Sequence, residues 1–245
     1  MSKLSYNLRK YSRILEDWWQ TNLDFWDKAK ASSQLNKKLH EDISSVKEKV
    51  HQSFSPVFVL STGRAGSKLL TKILALNPNL AVHHNPTPEL EAFSNIAFQN
   101  PTDLATEQMW EAARYEAIRD HYLLGKQYVE TNNRISTFCH AIHKLYPEAK
   151  FIHLFRNVES FVKSGYSRNW YGGYRLSDDG RVQLEESGWK EVTQVEKISW
   201  FWCALNQFIA DFGKHLPAQQ FMVVPANRLF SEAQTAYDIH EFVDP

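Results

Sequence analysis

The chain has 245 residues, 28 of them basic and 28 acidic, so its formal charge is zero. It is long enough to bury a sizeable core, and 15 Phe, 10 Tyr and 8 Trp are more aromatic mass than a disordered chain carries. The charge balance excludes the basic footprint of bulk nucleic-acid binding. Two cysteines, Cys139 and Cys203, are too few for a disulfide framework and read as reduced, packed thiols of a cytoplasmic protein. Charges interrupt the N-terminal stretch every few residues, so it has no apolar signal-peptide core. No run approaches the ~18 uncharged apolar residues of a membrane span.

Residues 1–52 read as a helical extension distinct from the rest of the chain. Leu4, Leu8, Tyr11, Leu15 and Trp18 recur at three- and four-residue steps, and Trp19, Leu23 and Trp26 continue a neighbouring stripe. A second helix, rich in Lys and Glu, is predicted over 34–51. This layer packs on the main domain, caps a substrate site or offers a dimer surface.

The pattern changes at Pro56. Val57-Phe58-Val59-Leu60 fits a buried parallel strand. Residues 61–67 are small and contain glycine, and a helical pattern runs over 69–76 until Asn77-Pro78 stops it. A second strand is predicted over 80–84, running into the loop Asn85-Pro86-Thr87-Pro88. Residues 89–124 are mostly helical, 127–130 a third strand, 134–146 a helix, 151–155 a fourth strand and 158–168 a helix. Residues 169–192 break the alternation with Gly172, Gly173, Asp178, Asp179 and Gly180, as a functional lid or a plain surface excursion. A helix over 195–212, a fifth strand over 221–224 and a helical tail from Ser231 complete the chain.

Strands alternating with helices predict a three-layer α/β domain over 53–245, a parallel sheet flanked by helices. Ligands of such sheets bind at the carboxyl ends of the strands. The places to look are therefore just after Leu60, His84, Glu130, Phe155 and Val224.

The segment S61-T-G-R-A-G-S-K-L-L70 comes directly after the first strand and opens a helix. Successive N–H groups in such a loop face an anion, and the helix dipole adds to the attraction. Gly63 and Gly66 permit close backbone approach, and Arg64 and Lys68 supply cationic donors. The segment is not a G-x-x-x-x-G-K-[ST] triphosphatase loop: Ser67 stands after Gly66 and Lys68 comes one place late. No strand ends in the Asp that helps hold magnesium in that class.

The loop resembles the 5′-phosphosulfate loop of sulfotransferases, in which a basic residue precedes Ser-Gly-Thr-Thr or Ser-Gly-Ser-Ser. Arg64, Ala65, Gly66, Ser67 and Lys68 hold the matching places. Ala65 replaces the usual Ser and Lys68 the usual Thr or Ser, which keeps the backbone cradle and loses hydroxyl donors. A second motif strengthens the resemblance: a strand ending in Arg, then seven residues, then Ser. Here the text is F151-I-H-L-F-R156-N-V-E-S-F-V-K-S164, with Val158 where the family often has Pro. Arg at a strand end offers a fork of donors to phosphate oxygens. The resemblance runs from about Pro56 to Val243 and includes an aromatic-rich helix with Trp200 and Trp202.

The resemblance implies a P-loop NTPase-like sulfotransferase fold and 3′-phosphoadenosine 5′-phosphosulfate (PAPS) as donor. It implies a hydroxyl or amine of a small-molecule or carbohydrate acceptor, and no metal. Gly63, Arg64, Ala65, Gly66, Ser67, Lys68 and Leu69 would hold the 5′-phosphosulfate, and Arg156 and Ser164 the 3′-phosphate. Arg168 either assists there or is a solvated helix-end charge. Arg64 stands where the family has its catalytic basic residue. For the base, family members use His or Glu on different strand ends. His84, then Glu89, Glu130 and His83, are the candidates here, and Asn132 stands near the place of the His in cytosolic members. His83 and His84 alternate sides, so only one faces the cleft. Trp170, Tyr171 and Tyr174 either stack on an acceptor or pack under the loop. The other histidines show no metal-ligand spacing. Two alternatives stay open: a P-loop small-molecule kinase using ATP and magnesium, and a non-catalytic module of the same fold. Homodimer formation is open as well.

Overall fold

Successive side chains of every interior strand leave opposite faces of the sheet, and this period of two sorts the core into two chemically different layers. The computed structural model describes Leu35, residues 43–173, Asp178, residues 181–184 and residues 187–244. The amphipathic helix predicted before residue 34, and Tyr174, Asp179 and Gly180, lie outside the described residues. The backbone divides into two compact units, Met1–Val46 and Lys47–Pro245, and the sheet lies wholly in the second.

The elements keep the predicted order. They are α1 (Ile43–Ser53), β1 (Val57–Leu60), α2 (Ser67–Leu74), β2 (Leu80–His84), α3 (Ser94–Gln99), α4 (Leu104–Leu123), β3 (Gln127–Thr131), α5 (Cys139–Leu145) and β4 (Lys150–Phe155). After these come α6 (Val158–Tyr166), α7 (Gln194–Gly213), β5 (Phe221–Pro225), α8 (Ala226–Ser231) and α9 (Ala233–Val243). The five strands pair in parallel in the order β2-β3-β1-β4-β5. From β1 the chain moves out to β2 and back to β3, then crosses to β4 and β5. Loops leaving β1 and β4 therefore diverge, which opens a crevice at their carboxyl ends.

Val57 and Val59 of β1, Val129 of β3 and Ile152 and Leu154 of β4 face an aliphatic layer. It is built by Leu70 and Leu74 of α2, Leu229 of α8 and Ile239 and Val243 of α9. The alternate residues face an aromatic layer. Phe58 meets Trp110 of α4 edge-on at 5.4 Å and Phe151 at 5.9 Å, and Phe151 meets Phe212 of α7 at 4.9 Å. Such ring pairs contribute ~0.5–1.5 kcal/mol each beyond the area they bury.

Several boundaries differ from the sequence reading, each for a local reason. The helix predicted over 34–51 is observed as α1, with Leu35 helical apart from it. The helical stretch expected over 89–124 breaks into a short 3₁₀ turn (Glu91–Phe93), α3 and α4. Asn100-Pro101 interrupts it, because proline cannot donate to the preceding turn, and Asp103 recaps α4 by accepting from the Ala105 N–H at 3.0 Å. The helix expected over 134–146 begins as a 3₁₀ helix, Asn133–Phe138, capped by the Asn132 side chain. α7 starts on a reciprocal capping box between Thr193 and Glu196. The helical tail begins earlier than expected, directly after β5. Cys139 is buried and free, whereas Cys203 is free but exposed, so the expectation of two packed thiols holds for one of them. Its place on the outer side of α7 is the reason. Among the described residues no helix is long and apolar enough to cross a membrane.

One charged pair lies inside the aromatic layer. Arg114 of α4 and Glu130 of β3 are 1% and 0% exposed and meet through Nε–Oε2 at 2.8 Å and Nη2–Oε1 at 3.1 Å. The Tyr128 hydroxyl and the Asn132 amide donate to the same carboxylate at 2.8 and 3.0 Å. Arg114 also donates to the Pro88 and Pro86 carbonyls at 2.9 and 3.2 Å, which pins the loop after β2. Removing one partner of such a pair strands a buried charge. Arg114→Met is therefore expected to cost ~3–5 kcal/mol in chemical denaturation, and Arg114→Met with Glu130→Gln to recover part of that loss. A single substitution costing no more than the double would show that the pairing adds nothing.

Candidate active site

Residues that come after each of the five strands line one cavity of about 620 Å³. β1 leads to Gly63, Arg64, Gly66, Ser67 and Lys68, β2 ends in His84 and leads to Asn85 and Glu91, β3 leads to Asn133 and Arg134, and β4 to Arg156. Phe230 arrives from α8 after β5, and Trp170 and Arg181 come from the segment after α6.

The β1–α2 loop has the backbone of an anion cradle. Gly63 (φ 83°), Arg64 (φ 58°) and Gly66 (φ 95°) are all left-handed. For Arg64 that conformation costs on the order of 1 kcal/mol. At Gly66 an added Cβ would come within 2.7 Å of the Phe230 ring, so only glycine lets that ring lie against the loop. Gly66 caps α2 without any side-chain hydrogen bond. The Leu69 N–H is taken by the Gly66 carbonyl at 2.9 Å, so the Ser67 and Lys68 N–H groups and the positive end of the helix dipole are left for an anion.

Three guanidinium groups gather beside this loop. Arg64 Nε donates to Ser164 Oγ at 3.3 Å, and Arg168 Nη1 donates to Ser164 Oγ and to its carbonyl, both at 2.9 Å. Arg156 Nη1 donates to the Arg64 carbonyl at 3.1 Å, and its own carbonyl accepts from Trp202 Nε1 at 2.8 Å. Burial, then the charges of Arg168 and Arg156, lowers the pKa of Arg64. Among the described residues no carboxylate pairs with any of the three. Ser164, already accepting twice at Oγ, keeps its own proton for a further acceptor.

The two neighbouring histidines of β2 part company as the strand period requires. His84 lies on the face of α2 and lines the cavity. Its Nδ1 is 2.8 Å from Thr131 Oγ1. Burial pushes its pKa below the usual imidazole value, the Thr131 backbone raises it and Lys68 lowers it. His83 points to the other layer, where Nε2 meets His121 Nε2 at 2.8 Å and the ring stacks on Tyr128 at 5.0 Å. Burial and the neighbouring His83 hold His121 down to about 4.

The remaining base candidates are placed elsewhere. Glu130 shares the layer of His83 and is enclosed by Arg114, Tyr128 and Asn132, so no acceptor reaches it. Asn132 is buried as the partner of Glu130 and the cap of the 3₁₀ turn. Glu89 is exposed on a smaller adjoining cavity of about 200 Å³ with Glu91 and Arg134.

Trp170 packs against Phe161 and Phe201, and the Arg181 guanidinium lies 4.1 Å from its ring centroid. The Tyr171 hydroxyl donates to the Val182 carbonyl. These two rings hold the segment after α6 in place, and Tyr174 lies outside the described residues. A separate cavity of about 640 Å³, lined by Phe155, Trp202, Asn206, Phe221 and Val223, carries neither loop N–H groups nor guanidiniums.

Sequence reasoning missed Arg134, Arg181, Glu91 and Phe230. Arg134 and Phe230 could have been found by tracing β3 and β5 a few residues further. Arg134 is ion-paired to Glu91, and burial with Arg181 nearby pushes it down to about 10. Nothing in the sequence brings Arg181 from the 169–192 insertion to this edge.

A family profile described as "Sulfotransferase family" matches residues 56–234. A comparison with curated protein sequences finds no match. A sulfotransferase domain from the curacin biosynthetic pathway is 16% identical, with a TM-score of 0.54 over 79% of this chain and 75% of that one. A sulfotransferase from Alicyclobacillus acidocaldarius is 18% identical, with a TM-score of 0.50 over 78% of this chain and 81% of that one. The two structures share the fold, and the profile spans well over half of the sequence. The chain belongs to the sulfotransferase family.

Proposed function

We propose that this sulfotransferase takes its sulfuryl group from PAPS and passes it to a hydroxyl or amine of a small-molecule or carbohydrate acceptor. Residues 53–245 form the catalytic domain in this reading, and 1–52 an extension of it. The observation that carries it is the guanidinium cluster of Arg64 and Arg168 on Ser164 with Arg156 on the Arg64 carbonyl, none of the three ion-paired to a carboxylate among the described residues. Like charges held together in this way are relieved by a polyanion.

The groups present fit that donor. The uncapped start of α2 with Arg64 and Lys68 suits a 5′-phosphosulfate. Arg156, Ser164 and Arg168 suit a second, separate phosphate such as the 3′-phosphate. The Phe230 ring, 56% exposed at the cavity wall, suits stacking on a purine. When bound, PAPS supplies the sulfuryl group and the phosphate that leaves.

His84 is the base in this proposal, because it alone of the four candidates lines the same cavity as the loop. Its Nε2 takes the proton of the attacking hydroxyl or amine. Arg64 and Lys68 neutralise the charge that grows on the departing phosphate oxygen. Transfer with attacking and leaving atoms in line asks the protein for positioning and charge stabilisation rather than covalent chemistry.

Calorimetric titration tests the donor class first. Adenosine 3′,5′-bisphosphate is expected to bind without added metal, and more tightly than ATP with magnesium. The opposite preference would make the protein a kinase, and binding of neither a non-catalytic module. Arg156→Ala is expected to weaken the bisphosphate about tenfold or more, the worth of a charge-assisted hydrogen bond, and to leave a 3′-dephospho analogue nearly unaffected. Equal losses for both ligands would remove the 3′-phosphate from Arg156.

His84→Gln is expected to lower kcat by roughly 10²–10⁴-fold with bisphosphate affinity retained. A neutral base is active above its pKa, and the His84 pKa lies below the usual imidazole value. The acid limb of wild-type kcat should therefore fall below about pH 6.5 and disappear in the variant. Full turnover by His84→Gln would remove it from the mechanism.

A further inference from the structure

A proton count around Thr131 determines more about His84 than its position. His84 and Thr131 are direct partners in the β2–β3 register, so their side chains leave the same face of the sheet. Thr131 is fully buried, and its Oγ1 makes two short contacts, to His84 Nδ1 at 2.8 Å and to Thr71 Oγ1 at 2.6 Å. Thr71 stands one turn into α2, and its Oγ1 donates to the Ser67 carbonyl at 2.8 Å.

Three hydrogen bonds thus lie in series, and the two threonines own only one hydroxyl proton each. The Ser67 carbonyl can only accept, so it takes the proton of Thr71. The contact between the hydroxyls then takes the proton of Thr131. Nothing remains for the third bond except a proton on His84 Nδ1. The longer 3.3 Å contact from Thr131 Oγ1 to the His83 carbonyl draws on the same Thr131 proton and leaves the count unchanged. At the other ring nitrogen, the Asn85 amide nitrogen lies 3.4 Å from Nε2, the arrangement of a donor facing a lone pair.

We infer that Thr131, backed by Thr71, is a positioning residue that holds His84 in the Nδ1–H tautomer, with the Nε2 lone pair toward the cavity. A general base needs its lone pair on the nitrogen that meets the acceptor, and the hydrogen bond at the opposite nitrogen sets which one carries it. The inference rests on His84 as the base of the proposed reaction. It adds that the base is tied through two hydroxyls to Ser67, inside the loop proposed to hold the phosphosulfate. The tautomer and the loop conformation thereby become parts of one network.

The test is nitrogen-15 NMR of the full chain labelled at histidine, with the His84 signals identified by their loss in His84→Gln. Two-bond correlations from the ring carbons report which nitrogen is protonated. The wild-type protein is expected to show Nδ1–H and an unprotonated Nε2 at neutral pH. Thr131→Val, which removes the acceptor, is expected to mix the tautomers. It should lower kcat about tenfold or more, with both KM values within about twofold. Thr131→Ser keeps the hydroxyl and is expected to restore the tautomer and most of kcat.

An Nε2–H tautomer in the wild-type protein overturns the inference, and so does an unchanged tautomer in Thr131→Val. The wild-type spectrum needs no variant, so a Thr131→Val chain that fails to fold leaves the decision intact. The tautomer is read without any turnover. If it is as inferred while His84→Gln keeps full activity, the positioning stands and the assignment of the base is what fails.

Discussion

Glu130 sits on an interior strand of a parallel sheet, where a carboxylate has no water to accept from, and its satisfaction organises one side of the molecule. Arg114 reaches it from α4 with two bonds, and Tyr128 and Asn132 occupy the remaining lone pairs. The spare donors of Arg114 go to the carbonyls of Pro86 and Pro88. One guanidinium therefore ties α4 to β3 and both to the loop that leaves β2. That loop begins at Asn85, beside His84. An ion pair this deeply buried adds little net stability over an apolar pair of equal volume. Its bonds are directional, however, and they hold the backbone on which the candidate base sits.

The opposite demand operates at the β1 and β4 ends. Arg64, Arg156 and Arg168 are held by neutral acceptors, the Ser164 hydroxyl and carbonyl and the Arg64 carbonyl, rather than by carboxylates. Arg64 also occupies a left-handed backbone conformation that a side-chain-bearing residue rarely adopts. Both features oppose folding and favour an anion. The core compensates through two layers that share one sheet, aliphatic under α2, α8 and α9 and aromatic under α4 and α7. The sulfotransferase fold thus concentrates its unfavourable electrostatics at one edge, where all five strands deliver their succeeding residues.

Much of this was legible in the chain. Val57–Leu60, the glycine-bearing loop and the helix behind it announce themselves by composition and period, because a buried strand and an amphipathic helix leave distinct apolar spacings. Arg156 and Ser164 were singled out by the resemblance to sulfotransferases, whose pattern of a strand ending in Arg followed eight places on by Ser they match. Helix boundaries were less so. The segment from Asn133 winds first as a 3₁₀ turn because the Asn132 side chain caps it, and Asn100-Pro101 splits the helical stretch expected over 89–124. The pair His83 and His84 shows the limit clearly. Alternation guaranteed that they would face opposite ways, but which faced the loop depended on the layer covering each side.

What the amino-acid sequence determined by itself was therefore local and periodic: strand, loop and helix order, the parallel class of the sheet and the glycine-bearing loop between β1 and α2. These arise from side-chain period, glycine conformation and the reach of a few residues along the chain. Tertiary structure alone decided that Glu130 is spent on Arg114, that His84 shares a cavity with Arg64 and Lys68, and that Thr131 joins His84 to Thr71. It also decided that Arg181 reaches that cavity from a distant insertion. Each of these depends on strand register and on which helix covers which face. Such relations join residues tens of positions apart, and no local spacing encodes them.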